Sequence, residues 1–251
     1  MSSEHFGQLA DAPRACRRSA PAKLRELQDL FWIEAAKYNV LPLDSSFSTR
    51  LDVSIRPSLT RGRSVFTYFA GQTRIPEGAA PDTKNKSWKI AADVDIPAAG
   101  ADGVIATQGG RFNGWGLYLL GSKPVFHYNV AGVQRFTVAG NERLAPGKHV
   151  ILVDFKYDGG GIGKGGSITL SVDDKPVAEG RLERTISLRV ALDETLDIGE
   201  DTGTPVSEDY RVPFKFTGTL NHVVIRLGEG ELTAEDEAQI QRAKAAISMG
   251  R

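Results

Sequence analysis

A single cysteine, Cys16, is present, which excludes an internal disulfide and any multi-cysteine metal site. The four histidines, His5, His127, His149 and His222, are scattered, and no pair falls at helical metal-ligand spacing. No run approaches the roughly 18 unbroken apolar residues that a membrane-spanning helix requires, so no membrane partner is expected. Net charge is missing too. The 31 Lys+Arg balance the 31 Asp+Glu, and no overall field favours nucleic acid. The opening stretch MSSEHFGQLADAPRACRRSA carries charge without an apolar core, so it does not read as a secretory signal. The expectation is a cytoplasmic chain, or a piece of a longer one.

Arg17 and Arg18 would favour the thiolate of Cys16, yet no histidine is tied to it by a recognisable spacing. It reads as a free thiol near a frayed end.

What is present is enough for one sizeable domain or two small ones. The chain has 251 residues, 41 % of them hydrophobic and 25 % charged, an ordinary globular balance. The first ordered element is expected to be a helix in SAPAKLRELQDLFWIEAAKYNV, with Ser19 as cap and Pro21 in the first turn. Leu24, Leu27, Phe31, Ala35 and Tyr38 make one apolar stripe, a docking face rather than a cofactor site, and Asn39 and Pro42 end the helix.

From Leu51 to Leu227 the period changes to two. Trp88, Ile90, Ala92, Val94 and Ile96 share a face in SWKIAADVDIP, as do Ile151, Val153, Phe155 and Tyr157 in HVILVDFKY. Ile168, Leu170 and Val172 repeat the pattern, and Ile186, Leu188, Val190 and Leu192 predict a further strand. Turn signals (LGSKP, PGKH, VDDKP) interrupt these runs, and no helix intervenes. The fold class is therefore mainly β: an antiparallel β-sandwich, jelly-roll or concanavalin A-like. Thr233 followed by Asp236 is a capping-box pattern that opens a short C-terminal helix. The expected division is 1–18 as a flexible segment, 19–50 as helix and proline turn, 51–228 as sandwich and 229–251 as C-terminal helix.

DFKYDGGGIGKGGSITLSV contains G-x-G-x-x-G at Gly161, Gly163 and Gly166. That pattern holds a dinucleotide only where a helix follows, because the helix N-terminus supplies the phosphate donors. Here SITLSV has the period of a strand, and Lys164 precedes Gly165 instead of Ser or Thr. The stretch reads as a glycine-rich hairpin connection that permits close approach of another backbone, and no cofactor is expected. Between Asp193 and Asp209 stand seven acids and no lysine or arginine, without the rhythm of an EF-hand. An acidic loop accepting basic groups from a neighbour is the favoured reading over calcium. Trp115 and Tyr118 are candidate sugar contacts in a lectin, although Trp115, Leu117 and Leu119 alternate as core residues would.

Several long phrases carry a family likeness: PAKLRELQDLFWIEAAKYNVLPLD, GVIATQGGRFNGWGLYL, DFKYDGGGIGKGGSITLSVDDKPVAEGRLERT and LDETLDIGEDTGTPVSEDY. In this order, from about Asp11 to Leu227, the chain resembles the C-terminal part of bacterial arylsulfatases of the alkaline-phosphatase-like sulfatase family. The family's nucleophile is a formylglycine made from cysteine or serine in C-x-P-x-R. Cys16 is followed at those places by Arg18 and Ala20 and does not match. The family's metal ligands and sulfate-binding residues lie upstream and have no counterpart here.

The resemblance thus implies an accessory region without autonomous sulfate-ester hydrolysis, or a subunit completing a separately encoded catalytic chain. It makes Asp158, Gly161, Gly163 and Lys164 of the hairpin, with Glu200, Asp201, Glu208 and Asp209 of the acidic loop, the expected interface. A glycan-binding module using Trp115 and Tyr118 is the alternative. An enzyme using paired acids of the same loop ranks last.

Overall fold

The structure, a computed structural model, describes residues 20–41 and 58–249. Cys16, Ser19, Pro42 and the expected flexible segment lie outside the described residues. The chain divides into two compact units, Met1–Asp52 and Val53–Arg251.

In the first unit, helix α1 runs Pro21–Lys37 with proline in its first turn. Asn39 takes a left-handed backbone (φ 54) just beyond it, the conformation that commonly ends a helix. Of the expected stripe Ala35 is buried, while Leu27, Phe31 and Tyr38 are exposed, as are Leu30, Trp32 and Ile33.

The second unit is an antiparallel β-sandwich. The strands are β1 (Val65–Tyr68), β2 (Ile75–Pro76), β3 (Trp88–Ile96), β4 (Gly103–Gly109), β5 (Gly114–Leu120) and β6 (Lys123–Val130). There follow β7 (Gln134–Ala139), β8 (Gly147–Tyr157), β9 (Lys164–Val172), β10 (Lys175–Arg184), β11 (Thr195–Ile198) and β12 (Thr219–Leu227). One six-stranded sheet has the order β1-β12-β3-β8-β9-β10, the other β2-β11-β4-β5-β6-β7. Two hairpins, β5–β6 and β9–β10, close through two residues with positive φ, Gly121–Ser122 and Asp173–Asp174. That geometry matches the right-handed twist of the flanking strands.

The core lies between the sheets and follows the period-two pattern. Trp88, Ile90, Ala92, Val94 and Ile96 of β3 all point inward, beside Ile151, Val153 and Phe155 of β8 and Ile168 and Leu170 of β9. From the other sheet come Trp115, Leu117 and Leu119 of β5 and Phe126 and Tyr128 of β6. Trp88 packs on Phe155 at 5.1 Å and Phe126 at 5.7 Å between ring centroids. Each such ring contributes about 1.5–3 kcal/mol through its removal from water.

One expected strand is absent. Residues 185–194 form no strand; they cross from the edge strand β10 to β11 in the other sheet. Ile186 and Val190 are buried, but Leu192 is 82 % exposed. Side chains replace the ladder here. Tyr128 Oη accepts from the Ile186 N–H, Glu77 from the Val190 N–H, and the Ser187 and Arg189 carbonyls accept from Asn85 and Asn113. The burial of Ile186 and Val190 is in step with a strand's period.

Helix α2 (Ala234–Met249) closes the second unit. Its capping box is formed: Thr233 Oγ1 accepts from the Asp236 N–H at 3.2 Å, and Asp236 accepts from the Thr233 N–H at 2.9 Å. No helix among the described residues is long and apolar enough to cross a membrane.

Candidate functional site

The glycine-rich segment connects β8 to β9, and its polar groups turn inward. Asn85 holds it from below, accepting from the Gly163 N–H at 2.8 Å and donating to the Ser187 carbonyl at 2.8 Å. Tyr157 Oη donates to the Gly161 carbonyl and accepts from the Lys164 N–H. Asp158 pairs with Arg181 through both carboxylate oxygens, at 3.2 and 2.6 Å. A Cβ on Gly165 would strike the Leu182 carbonyl, and one on Gly166 the Lys156 carbonyl and the Phe155 ring. The close backbone approach anticipated from the glycines is therefore made by the chain's own neighbouring strands. Of the expected interface, only the Asp158 and Lys164 side chains stand exposed here, Asp158 already in its ion pair.

The acidic run follows the same logic over part of its length. Asp197 is buried and accepts from the Arg74 N–H, Thr195 Oγ1, and both the N–H and Oγ1 of Thr202. Asp201 is buried too, accepting from Tyr210 Oη at 2.6 Å and the Gly203 N–H at 3.2 Å. Burial pushes its carboxyl up to about 6, helped by the charges of Asp197 and Glu194 and opposed by those two hydrogen bonds. Glu200 is half-buried. Among the described residues no group of three or more His, Cys, Asp or Glu side chains is arranged to hold a metal ion.

The rest of the run folds over the outer face of the second sheet. Val206 and Tyr210 pack there with Val104, Tyr118 and Val125, forming a second small core. Gly116 leaves the room: a Cβ on it would press on Val206. Tyr118 Oη donates to Asp209 at 2.6 Å, and burial together with this carboxylate raises the phenol's pKa. His127 lies beside this contact, buried, with Nδ1 on Thr137 Oγ1 at 2.9 Å. Its Nε2 has no hydrogen-bond partner among the described residues. Burial holds the imidazole's pKa down; Asp209 pulls the other way and Arg135 reinforces burial.

At one end of this face three connections meet. Asn129 on β6, fully buried, donates to the Gly110 and Arg111 carbonyls and accepts from the Gly132 N–H, tying the β4–β5 turn to the β6–β7 turn. Asn113 answers by accepting from the Ala131 N–H at 2.8 Å. Thr204 joins the third segment, its Oγ1 accepting from the Arg111 N–H and donating to Glu194. Glu208 completes the arrangement, one carboxylate oxygen on Arg111 and the other on Arg135, each at 3.2 Å.

The backbone so fixed presents two apolar side chains to water. Phe112 is 77 % exposed and Val133 84 %. A rigid turn carrying an exposed aromatic ring, in a loop cluster with two guanidiniums and a carboxylate, has the means to stack on a flat apolar face and to bond polar groups around it. This cluster is the candidate site.

Of the sequence candidates, Glu208 belongs to the site itself, and Asp209 lies beneath it on Tyr118 and His127. Trp115 and Tyr118, proposed as sugar contacts, offer no ring face to a ligand: Trp115 is 1 % exposed between Trp88 and Phe126, and Tyr118 lies under Tyr210. Both are occupied by packing. Phe112, Arg111, Arg135, Asn129 and His127 were missed as site residues. For Phe112 a signal existed: in GGRFNGWG the ring sits between glycine-flanked turn positions, where no strand period offers it a core.

No family model matches the chain, and no curated protein matches it in sequence. Among solved structures, the mouse laminin α1 chain (domains LG4-5) is similar over 66 % of this chain at 19 % identity and a TM-score of 0.41. The chain spans only 42 % of that laminin chain. The CBM40 module of Ruminococcus gnavus IT-sialidase, solved with α2,3-sialyllactose, is similar over 72 % of this chain and 96 % of its own, at 12 % identity and a TM-score of 0.46. A SAP-like pentraxin from Limulus polyphemus shows 9 % identity over 76 % of this chain and 83 % of its own, with a TM-score of 0.35. At these scores no residue is carried from one protein to another.

Proposed function

We propose that the second unit is a lectin-like β-sandwich recognition module that binds a glycan at the loop cluster around Phe112. The exposure of that ring carries the reading. An aromatic side chain 77 % open to water, on a turn locked by a buried asparagine, is of no use to the core and is preorganised for a partner. Sugars offer apolar C–H faces for the ring and hydroxyls for Arg111, Arg135 and Glu208. A glycan array probed with the protein and with its Phe112→Ala variant tests this. Binding lost in the variant with the fold retained is the expected result; binding unchanged by the substitution removes the site.

A second reading rests on α1. Its exposed Leu27, Leu30, Phe31, Trp32 and Ile33 lie in the phrase that resembles the helix following the catalytic domain in arylsulfatases. On that reading the chain is an accessory region, or a subunit completing a separately encoded sulfatase catalytic chain. Co-elution with such a domain, or restored aryl-sulfate hydrolysis on mixing, is the expected outcome; a failure to associate under all conditions counts against it.

A further inference from the structure

The position of Glu208 says more about the ligand than the exposed ring does. Its carboxylate lies between two guanidiniums that come from different strands and turns, Arg111 on the β4–β5 turn and Arg135 on β7. Each oxygen takes one arginine. Arg111 and Glu208 are about half exposed and Arg135 about one-third, so the bridge is open to solvent. Exposed ion pairs of this kind contribute little to stability, which makes the bridge easy to replace. Arg111 is anchored by its own N–H on Thr204 and its carbonyl on Asn129, and Arg135 stands on a strand in register with Asn129. Glu208 lies on the segment between β11 and β12, which carries Thr204 and packs on the sheet through Val206 and Tyr210. The two arginines thus form a receptor for one carboxylate, with a residue of the chain seated in it.

A second observation lies beneath. His127 Nε2, buried and without a hydrogen-bond partner among the described residues, has Asp209 and Arg135 as charged neighbours, so the described residues leave a polar atom beside this receptor unsatisfied. Arg111 and Arg135 face Glu208 and Asp209, with Glu194 further out on Thr204. A neutral sugar would leave the bridge alone. A carboxylated one, taking the place of Glu208, would keep the two forks paired and release the glutamate to water.

We propose that the site selects carboxylated saccharides, the ligand's carboxylate displacing Glu208 from Arg111 and Arg135 while a sugar face lies on Phe112. This rests on the glycan reading above and narrows it to a chemical class. Glu208 is then a built-in competitor, a positioning residue that keeps the forks aligned in the free protein.

The test is calorimetric titration with hexuronate and sialylated oligosaccharides, each beside its methyl ester, which keeps the sugar and removes the anion. A sulfated series is run in parallel. The free acids are expected to bind at least tenfold tighter than their esters. Arg135→Ala should abolish that preference, and Arg135→Lys, which keeps charge but loses the fork, should reduce it. Glu208→Gln should raise the preference for acid over ester several-fold, because only the acids compete with it. Circular dichroism and melting curves confirm that each variant is folded. Acid and ester binding equally, both lost in Phe112→Ala, would overturn this inference and leave the glycan reading standing. Sulfated sugars binding the parent protein as tightly as carboxylated ones would overturn the carboxylate specificity. No binding by any member of the panel or the array would overturn both.

Discussion

Two buried asparagines hold two loops at the same end of the sandwich by the same device. Asn85 accepts from the Gly163 N–H and donates to the Ser187 carbonyl; Asn129 accepts from the Gly132 N–H and donates to the Gly110 and Arg111 carbonyls. What lies outside the two pins differs. Above Asn85 the glycine-rich connection directs its groups into Tyr157, Arg181 and the ends of β9 and β10, so its peptide groups are spent on the fold. Above Asn129 the same kind of restraint leaves Phe112 and Val133 facing water beside a replaceable ion bridge. Identical chemistry underneath serves closure in one region and presentation in the other. Glycine in this connection serves left-handed backbone at Gly159, Gly160, Gly161 and Gly163 and close packing at Gly165 and Gly166, and the proposed recognition surface lies elsewhere, around an exposed aromatic ring.

Removing either pin should have the largest effect and separate the two regions. Asn85→Ala and Asn129→Ala each leave buried peptide groups unpaired, and each is expected to lower unfolding free energy by about 3 kcal/mol in urea titrations. Only Asn129→Ala should also weaken glycan binding. Equal losses of binding in both variants would mean that the two loops act as one. Next come the glycines. Gly166→Ala drives a Cβ into the Lys156 carbonyl and the Phe155 ring and should lose about 2–3 kcal/mol. Gly160→Ala, where nothing lies within 4 Å but φ is +71, should lose only about 1 kcal/mol. Similar losses at both positions would show that backbone conformation, rather than close packing, sets the glycine content of this connection.

The acidic run offers a pH test of the same contrast, since Asp201 is sealed in while Glu208 is exposed. Burial raises the Asp201 carboxyl to about 6 in the folded protein. Between roughly pH 4 and 6 the folded chain keeps a proton that the unfolded chain has lost, so this group's contribution to stability falls as pH rises through that window. The fall is on the order of 2 kcal/mol in all, and Asp201→Asn should flatten it in melting curves recorded from pH 4 to 7. An unchanged slope would place the ionised carboxylate in a solvated setting. Smallest in stability is Phe112→Ala, expected within about 0.5 kcal/mol of the parent, as for an exposed side chain that the fold does not use. A loss above about 2 kcal/mol would mean the ring is structural.

The sandwich was legible because its central strands obey a simple rule. In β3, and in β8 from Ile151 to Tyr157, every second residue is buried, and the alternation of Trp88 to Ile96 states this directly. Residues 186–192 show where that rule misleads: the crossover has a strand's period without the ladder, burying Ile186 and Val190 while Leu192 stays exposed. The hairpin was readable as a connection, but not the pin that holds it, because Asn85 lies 78 and 102 positions from its partners. The site was less visible still. Arg111 and Arg135 meet Glu208 across 97 and 73 residues, a juxtaposition that only the sheet order creates. Aromatic composition drew attention to Trp115 and Tyr118, whereas the exposed ring was Phe112, marked by its turn.

Mapping backbone amide shifts during titration with an oligosaccharide that binds on the array tests the central claim most directly. Shifts confined to residues 111–113, 131–135 and 204–209 are the predicted result. Shifts centred on residues 158–166, or an array on which no oligosaccharide binds, would contradict it.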